Sequence, residues 1–373
     1  MEFKLTKEQE AIRRMMREFA ERKLAPIAAQ IDRDAKIPPD VYPELRKLKL
    51  FGIPYDKKYG GGGESYAELV LVIEEVAKAS AAVSLMLAGH YLAPISLRLY
   101  GTEEQKERCL PKLCSGEGIG TLAFTESATG SDPEAITTVA ELSGDDYILN
   151  GSKRFITNAP LDGLAIIFAK TDNGVSAFIV NKNQPGYSTS KPWEMMGLRG
   201  GQVADIQLKD VRIPKANLLG SEGKGYRMLT ELIAYGKVNV SACLLGIGEA
   251  ALDEAIKYAK ETTARGKPIA NFQTIQCLIA DIETQVEAAR WLTYRLAYLA
   301  SQGGDIRHDS ALTKLFASEM ATAVTNKALQ VHGSYGYTKE FKIERLYRDA
   351  RFGEIIEGVS EIQRVIIAAS LLR

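Results

Sequence analysis

Cysteine and histidine are scarce in this chain, with four and three residues among 373. Cys109, Cys114, Cys243 and Cys277 form no C-x-x-C pair and no cluster with histidine, so the common zinc frameworks are excluded and no metal is expected. Their scatter suits a reducing compartment rather than a disulfide scaffold. An excess of charge is missing too. Lys plus Arg and Asp plus Glu both number 47, which leaves no global field to attract nucleic acid or an anionic membrane. The opening "MEFKLTKEQEAIRRMM" lacks the basic-then-apolar order of a signal segment, and no uncharged apolar run approaches membrane-spanning length. A cytoplasmic protein without nucleic-acid or membrane partners is the expectation. Neither standard phosphate cradle occurs. "GGGGES" does not follow a strand in a βαβ unit, and "SEGKGY" lacks the upstream glycine and the Lys-Ser/Thr pair of a P-loop.

What is present is an ordinary globular composition, 46% hydrophobic and 25% charged, in a chain long enough for two or three domains. Helical periodicity begins at once. Thr6 and Gln9 form a capping-box pattern that opens a helix running toward Leu24, before Pro26. "PPDVYPELRKLKL", "SYAELVLVIEEVAKAS" and "TEEQKERCLPKLCSG" read as further helices, and residues 81–99 are apolar nearly all round, as a buried helix is. Near residue 119 the period changes to two. "AITTVAELSGDDYILNGSKRFITNA" predicts a hairpin about Ser-Gly-Asp-Asp, and "LAIIFAKT", "VSAFIVN" and "VADIQLKDV" continue the strands. From about residue 223 long helical segments return, each able to span a bundle. The expectation is an α+β protein with a helical domain (1–118), a β-barrel-like middle domain (119–222) and a C-terminal four-helix bundle (223–373).

Four stretches in order are more specific: "LAFTESATGSD" (122–132), "GSKRFITNA" (151–159), "QVHGSYGY" (330–337) and "IIEGVSEIQ" (355–363). Together with "MGLRGGQVADIQLKDVRIPKANLLG", they resemble the acyl-CoA dehydrogenase family of flavoenzymes over essentially the whole chain. Taken singly, Phe155 reads as a core aromatic, Thr125 and Thr157 as plain strand residues, and Gly333 as a helix end. Their joint order favours the resemblance. It implies FAD, an acyl-CoA substrate, electron-transfer flavoprotein as electron acceptor, and a homotetramer. It also implies that Phe124 and Thr125 approach the flavin ring and that Ser131 contacts CoA. The Phe155-Ile156-Thr157 segment would supply an aromatic wall and a hydroxyl near flavin N5. Gln273, Gln330, Gly333 and Ser334 match segments that reach a neighbouring subunit's FAD, and Ser360 and Glu361 join the cofactor-binding set. Lys237 and Gly358 fall on the substrate side.

Glu357 matches the family's catalytic base, which removes the proton α to the thioester while a hydride leaves the β carbon. Ile355 and Ile356 offer an apolar setting that raises a carboxylate's pKa, and Gly358 lets the chain approach a ligand. Some members carry the base on the first long C-terminal helix instead; that position is Gly236 here. The sequence departs from the family at Lys237, Ala234, Thr262 and Val359. Thr262 stands where an arginine normally reaches the FAD pyrophosphate, with Arg265 nearby as a substitute. Residues 79–97 contain no lysine or arginine, so a short, branched or cyclic uncharged acyl chain is expected, with His90 and Tyr91 as polar candidates. An enoyl-CoA reductase or acyl-CoA oxidase on the same fold is an alternative, and a catalytically silent binding protein a further one.

Overall fold

The computed structural model describes residues 4–132 and 135–372. Thr6 opens α1 (Lys7–Phe19): its hydroxyl accepts the Gln9 N–H at 3.2 Å while the Gln9 side chain accepts the Thr6 N–H at 3.1 Å. The chain stays helical to Leu24 but widens to a π turn over Ala20–Leu24. Pro26, which has no N–H to give back to Arg22, lies just beyond in a 3₁₀ turn. Two short helices follow, α2 (Ala28–Asp34) and α3 (Val41–Lys47). A second capping box, Ser65 with Glu68, opens α4 (Tyr66–Ala79), which is buried nearly all round. The apolar run expected as one helix is two, α5 (Ala81–His90) and α6 (Leu92–Tyr100), broken at Tyr91. Pro94 cannot donate to the His90 carbonyl, and Gly120 packs where a Cβ would lie 2.5 Å from that oxygen. A third box, Thr102 with Gln105, starts α7 (Glu103–Ser115).

The middle of the chain is one sheet. Strand β1 (Ile119–Ala123) lies parallel to β4 (Gly163–Thr171). The predicted hairpin joins β2 (Val139–Ser143) to β3 (Asp146–Ile156), with Ser143 opposite Asp146 and Gly144 at φ 65°. With β5 (Gly174–Asn181), β6 (Tyr187–Thr189), β7 (Ala204–Pro214) and β8 (Leu218–Leu219), the order is β6-β7-β3-β2-β4-β5-β8. β3 slips register twice along β7, which bends it and turns its last residues toward the helices.

The C-terminal part is built on α8 (Gly225–Glu261). A small ribbon, β9 (Thr263–Ala264) with β10 (Lys267–Pro268), leads to α9 (Gln273–Gln302) and α10 (Arg307–His332). α11 (Lys342–Ala350) and α12 (Ser360–Leu371) complete the bundle. Residues 81–100 and α8 are long and apolar enough to cross a membrane, but 89% and 83% of those apolar windows lie inside the fold. Buried charge ties the parts together. Arg13 of α1 binds Glu75 and Glu74 of α4 and reaches Glu249 of α8. Arg290 of α9 meets both Glu74 and Glu249, and the Tyr294 hydroxyl donates to Glu74. Burial and the Glu249 charge push the Glu74 pKa up. On the other side Arg348 clamps Asp32 at 2.7 Å, and Asp349 accepts the Leu198 N–H at 2.6 Å.

Candidate active site

The turn between α11 and α12 places Glu357. Glu357 and Gly358 have φ of 53° and 84°, so two successive left-handed residues throw the glutamate side chain inward. For a non-glycine residue this conformation costs on the order of 1–3 kcal/mol, and such strain collects at functional sites. The neighbours over-determine it. Lys314 Nζ, from α10, donates to the Gly358 carbonyl at 2.6 Å. Gln363 Nε2 donates to the same carbonyl at 2.8 Å and to that of Glu357 at 3.1 Å. A Cβ at Gly358 would lie 2.5 Å from that Gln363 nitrogen, so a larger residue would displace the anchor as well as strain the left-handed backbone.

The carboxylate itself points at α8. A Cβ built on Gly236 would lie 2.8 Å from Glu357 Oε2 and 3.2 Å from Leu92 of α6. The space that α8 leaves open at Gly236 is therefore filled by the Glu357 carboxylate from the opposite wall. Glu357 as a residue is only partly buried, yet its carboxyl lies deep enough that burial pushes its pKa up to about 7. Lys237 and Lys314 restrain that rise through space. Both lysines are themselves buried, 4% and 0% exposed, and burial pulls each down to about 8. Among the described residues none donates a hydrogen bond to the Glu357 carboxylate.

The other wall comes from the end of β3. Phe155 is 52% exposed and held at φ 57°. Its ring centroid lies 5.1 Å from that of Trp193. Asp205 of β7 accepts the Phe155 N–H at 3.1 Å and the Trp193 indole N–H at 2.8 Å, so a pair of aromatic faces is presented to solvent from a fixed frame. Ile156 is buried, and the Thr157 carbonyl accepts the Thr121 hydroxyl at 2.9 Å. The methyl of Thr157 packs on Gly89, where a Cβ would approach within 2.9 Å. Thus α5 and α6 bridge the two walls, touching Thr157 at Gly89 and the Glu357 pocket at Leu92. Phe124 and Thr125 lie next to a buried ion pair: Lys153 Nζ donates to Glu126 at 2.7 Å and to the Phe124 carbonyl at 3.2 Å. The Thr125 carbonyl accepts the Arg154 N–H.

Not every candidate gathers here. Ser131 and Glu361 are exposed, and Gln273, Gln330, Gly333 and Ser334 lie exposed at helix ends of the bundle. Gly333 ends α10 at φ 59°. Arg265 is exposed in the turn of the β9–β10 ribbon. His90 and Tyr91 face away from the Glu357 pocket. His90 Nδ1 accepts the Gly120 N–H and its Nε2 bonds the Phe51 carbonyl, burial holds it neutral at about 3, and the Tyr91 hydroxyl donates to Leu50. Both are satisfied core residues. Trp193, Asp205, Lys314 and Gln363 escaped the sequence reading. Trp193 sits in an irregular stretch, and Lys314 meets the loop from 44 residues away.

The arrangement suits a flavin. Thr129 Oγ1 and Ser360 Oγ, in two of the resembling segments, are buried without a partner among the described residues. Such atoms are expected to be paired, and an aromatic wall beside polar groups is what a flat, polar-rimmed cofactor requires.

Comparison with known proteins agrees along the whole length. Family profiles match the N-terminal (6–117), middle (121–211) and C-terminal (223–372) domains of acyl-CoA dehydrogenase. The acryloyl-CoA reductase (NADH) of Anaerotignum propionicum is 43% identical, covering 100% of this chain and 96% of that protein. Butyryl-CoA dehydrogenase from Megasphaera elsdenii superposes with a TM-score of 0.97 at 36% identity, and each chain is wholly covered. A structure reported for the electron transferring flavoprotein of Acidaminococcus fermentans, concerned with flavin-based electron bifurcation, superposes at 0.98 with 37% identity and full coverage of both chains. The chain belongs to the acyl-CoA dehydrogenase family and is an oxidoreductase acting on a CH–CH bond.

Proposed function

We propose that this enzyme interconverts a short, uncharged acyl-CoA and its α,β-enoyl-CoA, with Glu357 moving the proton at the α carbon. One observation carries the assignment: a carboxyl poised at about 7, buried, free of hydrogen bonds from the described residues and aimed at the gap left by Gly236. Bound FAD supplies the acceptor for the hydride from the β carbon. Phe155 and Trp193 would wall its ring, and Phe124, Thr125 and Thr157 would line its edge. Ser360 and Glu361 lie on the same turn as the base. Gly358 and Lys237 border the substrate, and Ser131, exposed at the end of its segment, would contact CoA. A carboxyl half ionised near neutrality is a competent proton acceptor, and desolvation is what gives it that basicity.

A second reading runs the reaction as enoyl-CoA reduction, with protonated Glu357 delivering the α proton. The reductase relative favours it, and a pKa near 7 serves both directions equally. Electron-transfer flavoprotein is the proposed redox partner, supported by the flavoprotein structure described above. A homotetramer is supported by the exposure of Gln273, Gln330, Gly333 and Ser334 together with Tyr335 and Tyr337, which follow directly in the chain and are 59% and 88% exposed. This apolar surface suits a subunit contact. The cytoplasm is the proposed compartment.

The test is direct. Purified protein is expected to be yellow, with one non-covalent FAD per chain. Anaerobic addition of butyryl-CoA-sized thioesters is expected to bleach it, while glutaryl-CoA is a poor substrate because a buried carboxylate without a dedicated cation is costly. A folded preparation that takes up no FAD, or a flavin untouched by any acyl- or enoyl-CoA, overturns the proposal.

A further inference from the structure

We infer that Lys314 and Gln363 are positioning residues that aim Glu357 and, through the Lys314 charge, set the pH at which it becomes a base. The inference rests on the assignment of Glu357 above.

The geometry is one of two anchors on one short turn. Gly358 C=O accepts from both Lys314 Nζ and Gln363 Nε2, and Glu357 C=O accepts from Gln363 alone. The N–H and C=O of a trans peptide point in opposite directions. Holding the Glu357 and Gly358 carbonyls toward α10 and α12 therefore fixes the next two amide N–H groups, of Gly358 and Val359, in the opposite sense. Both anchors act on the two carbonyls of the left-handed pair itself and so oppose its relaxation directly. Lys314 has no exposed surface, a costly place for an ammonium. A neutral side chain would serve if the carbonyl were all it had to bind. Gln363 shows this, holding the same oxygen without charge.

The charge acts on the carboxylate. Lys314 and Lys237 face Glu357 from α10 and α8, and both favour its ionised form. Glu354 and Glu361, before and after the turn, face Lys314 and favour its protonated form. Lys237 offers only its charge, whereas Lys314 joins charge to a backbone bond, coupling where the carboxylate sits to how readily it ionises.

The two anchors can be separated. Gln363→Met removes a neutral donor, and turnover is expected to fall roughly 10- to 100-fold, as misplacement of a reacting group does, with the acid limb of the kcat/KM profile unmoved. Lys314→Met is expected to lower turnover similarly and also to move the acid limb up by roughly one pH unit, as loss of a nearby opposite charge does. Lys314→Arg, which keeps the charge, is expected to return the limb to its original place. An infrared titration of the carboxylate band that disappears in Glu357→Gln provides a readout independent of turnover and is expected to show the same shift. Unmoved limbs and bands in Lys314→Met, or full turnover in Gln363→Met, overturn the inference; if Lys314→Met does not fold, Gln363→Met and Lys314→Arg decide it. Failure of the parent protein to reduce its flavin at all would instead count against the functional assignment.

Discussion

Glu126 and Glu357 are both carboxylates set beside buried lysines, and their acidities lie at opposite ends of the range. Glu126 is held down at about 2 although burial works to raise it. Lys153, the Thr137 N–H and hydroxyl, and the Thr138 N–H and hydroxyl all donate to it at 2.6–3.0 Å. Glu357 has two lysines nearby but no donor among the described residues, and burial takes it to about 7. Nearness of a cation does not by itself make the difference, since Lys237 and Lys314 act on Glu357 only through space, whereas Lys153 bonds Glu126 directly. Direct hydrogen bonds do. A carboxylate saturated with donors is a fastener; one buried and left unsatisfied keeps its affinity for a proton.

The sharpest way to break this contrast is to neutralise each carboxylate in turn. Glu357→Gln is expected to retain FAD and thioester binding while flavin reduction falls by roughly 10²–10⁴-fold or more, as rapid-scan absorbance would show. Glu126→Gln is expected to do the reverse. It leaves Lys153 buried opposite a neutral amide, a loss of about 3–5 kcal/mol visible in chemical denaturation, with the chemistry of the folded fraction preserved. Next in size is Gly236→Ala, whose Cβ would press on Glu357 Oε2 at 2.8 Å; turnover is expected to drop on the order of tenfold to a hundredfold. The companion experiment, Gly236→Glu in a Glu357→Gly background, is expected to recover part of the activity, because the new carboxylate enters the same space from α8.

The smallest effects are in pH dependence. Dehydrogenation is expected to show an acid limb near pH 7, since Glu357 accepts no proton once protonated, whereas enoyl reduction loses activity above that pH. The two groups also affect stability with opposite signs. Glu126 has a depressed folded pKa, so its contribution is present above its ordinary value of 4.5 and is lost as pH falls toward 2. Glu357 has a raised one, so its contribution is full below 4.5 and is lost as pH rises through 7. The stability deficit of Glu126→Gln should therefore shrink as pH falls from 4.5 toward 2, while Glu357→Gln gains on the parent protein as pH rises from 4.5 to about 7 and no further above it. Melting temperatures across pH 3–9 would check both.

Local signals in the sequence were readable where a few adjacent residues decide the outcome. The Thr6–Gln9 box, the Ser-Gly-Asp-Asp hairpin and the change of period near residue 119 all appear in the fold. The contiguous motif around Glu357 and the glycine at 236 were singled out separately, and the structure brings the two together, with Glu357 Oε2 2.8 Å from where a Gly236 Cβ would lie. The break at Tyr91 was not legible, since it depends on Pro94 acting together with Gly120, a strand glycine 30 residues beyond His90. His90 and Tyr91 suggested pocket residues because their type gives no hint that Phe51, Leu50 and Gly120 already satisfy them. Lys314, Gln363, Trp193 and Asp205 act across distances in the chain that periodicity does not see.

The charged knot of Arg13, Glu74, Glu249 and Arg290 also dictates an order of assembly. Arg13 and Glu249 are 236 residues apart in sequence, and the whole sheet lies between them. All strands of the sheet are complete once Leu219 has been made, whereas Glu249 and Arg290 are still to come. Likewise, α1 and α4 emerge from a ribosome long before α8 and α9 exist, a delay of roughly 10–40 s at ordinary synthesis rates. During that interval the apolar sides of α4 and the carboxylates of Glu74 and Glu75 lack their C-terminal partners, and the loop to be closed is among the longest in the chain. The nascent N-terminal helices are thus the segment of this enzyme with most need of a chaperone, and release of the last hundred residues is the event that commits it to fold.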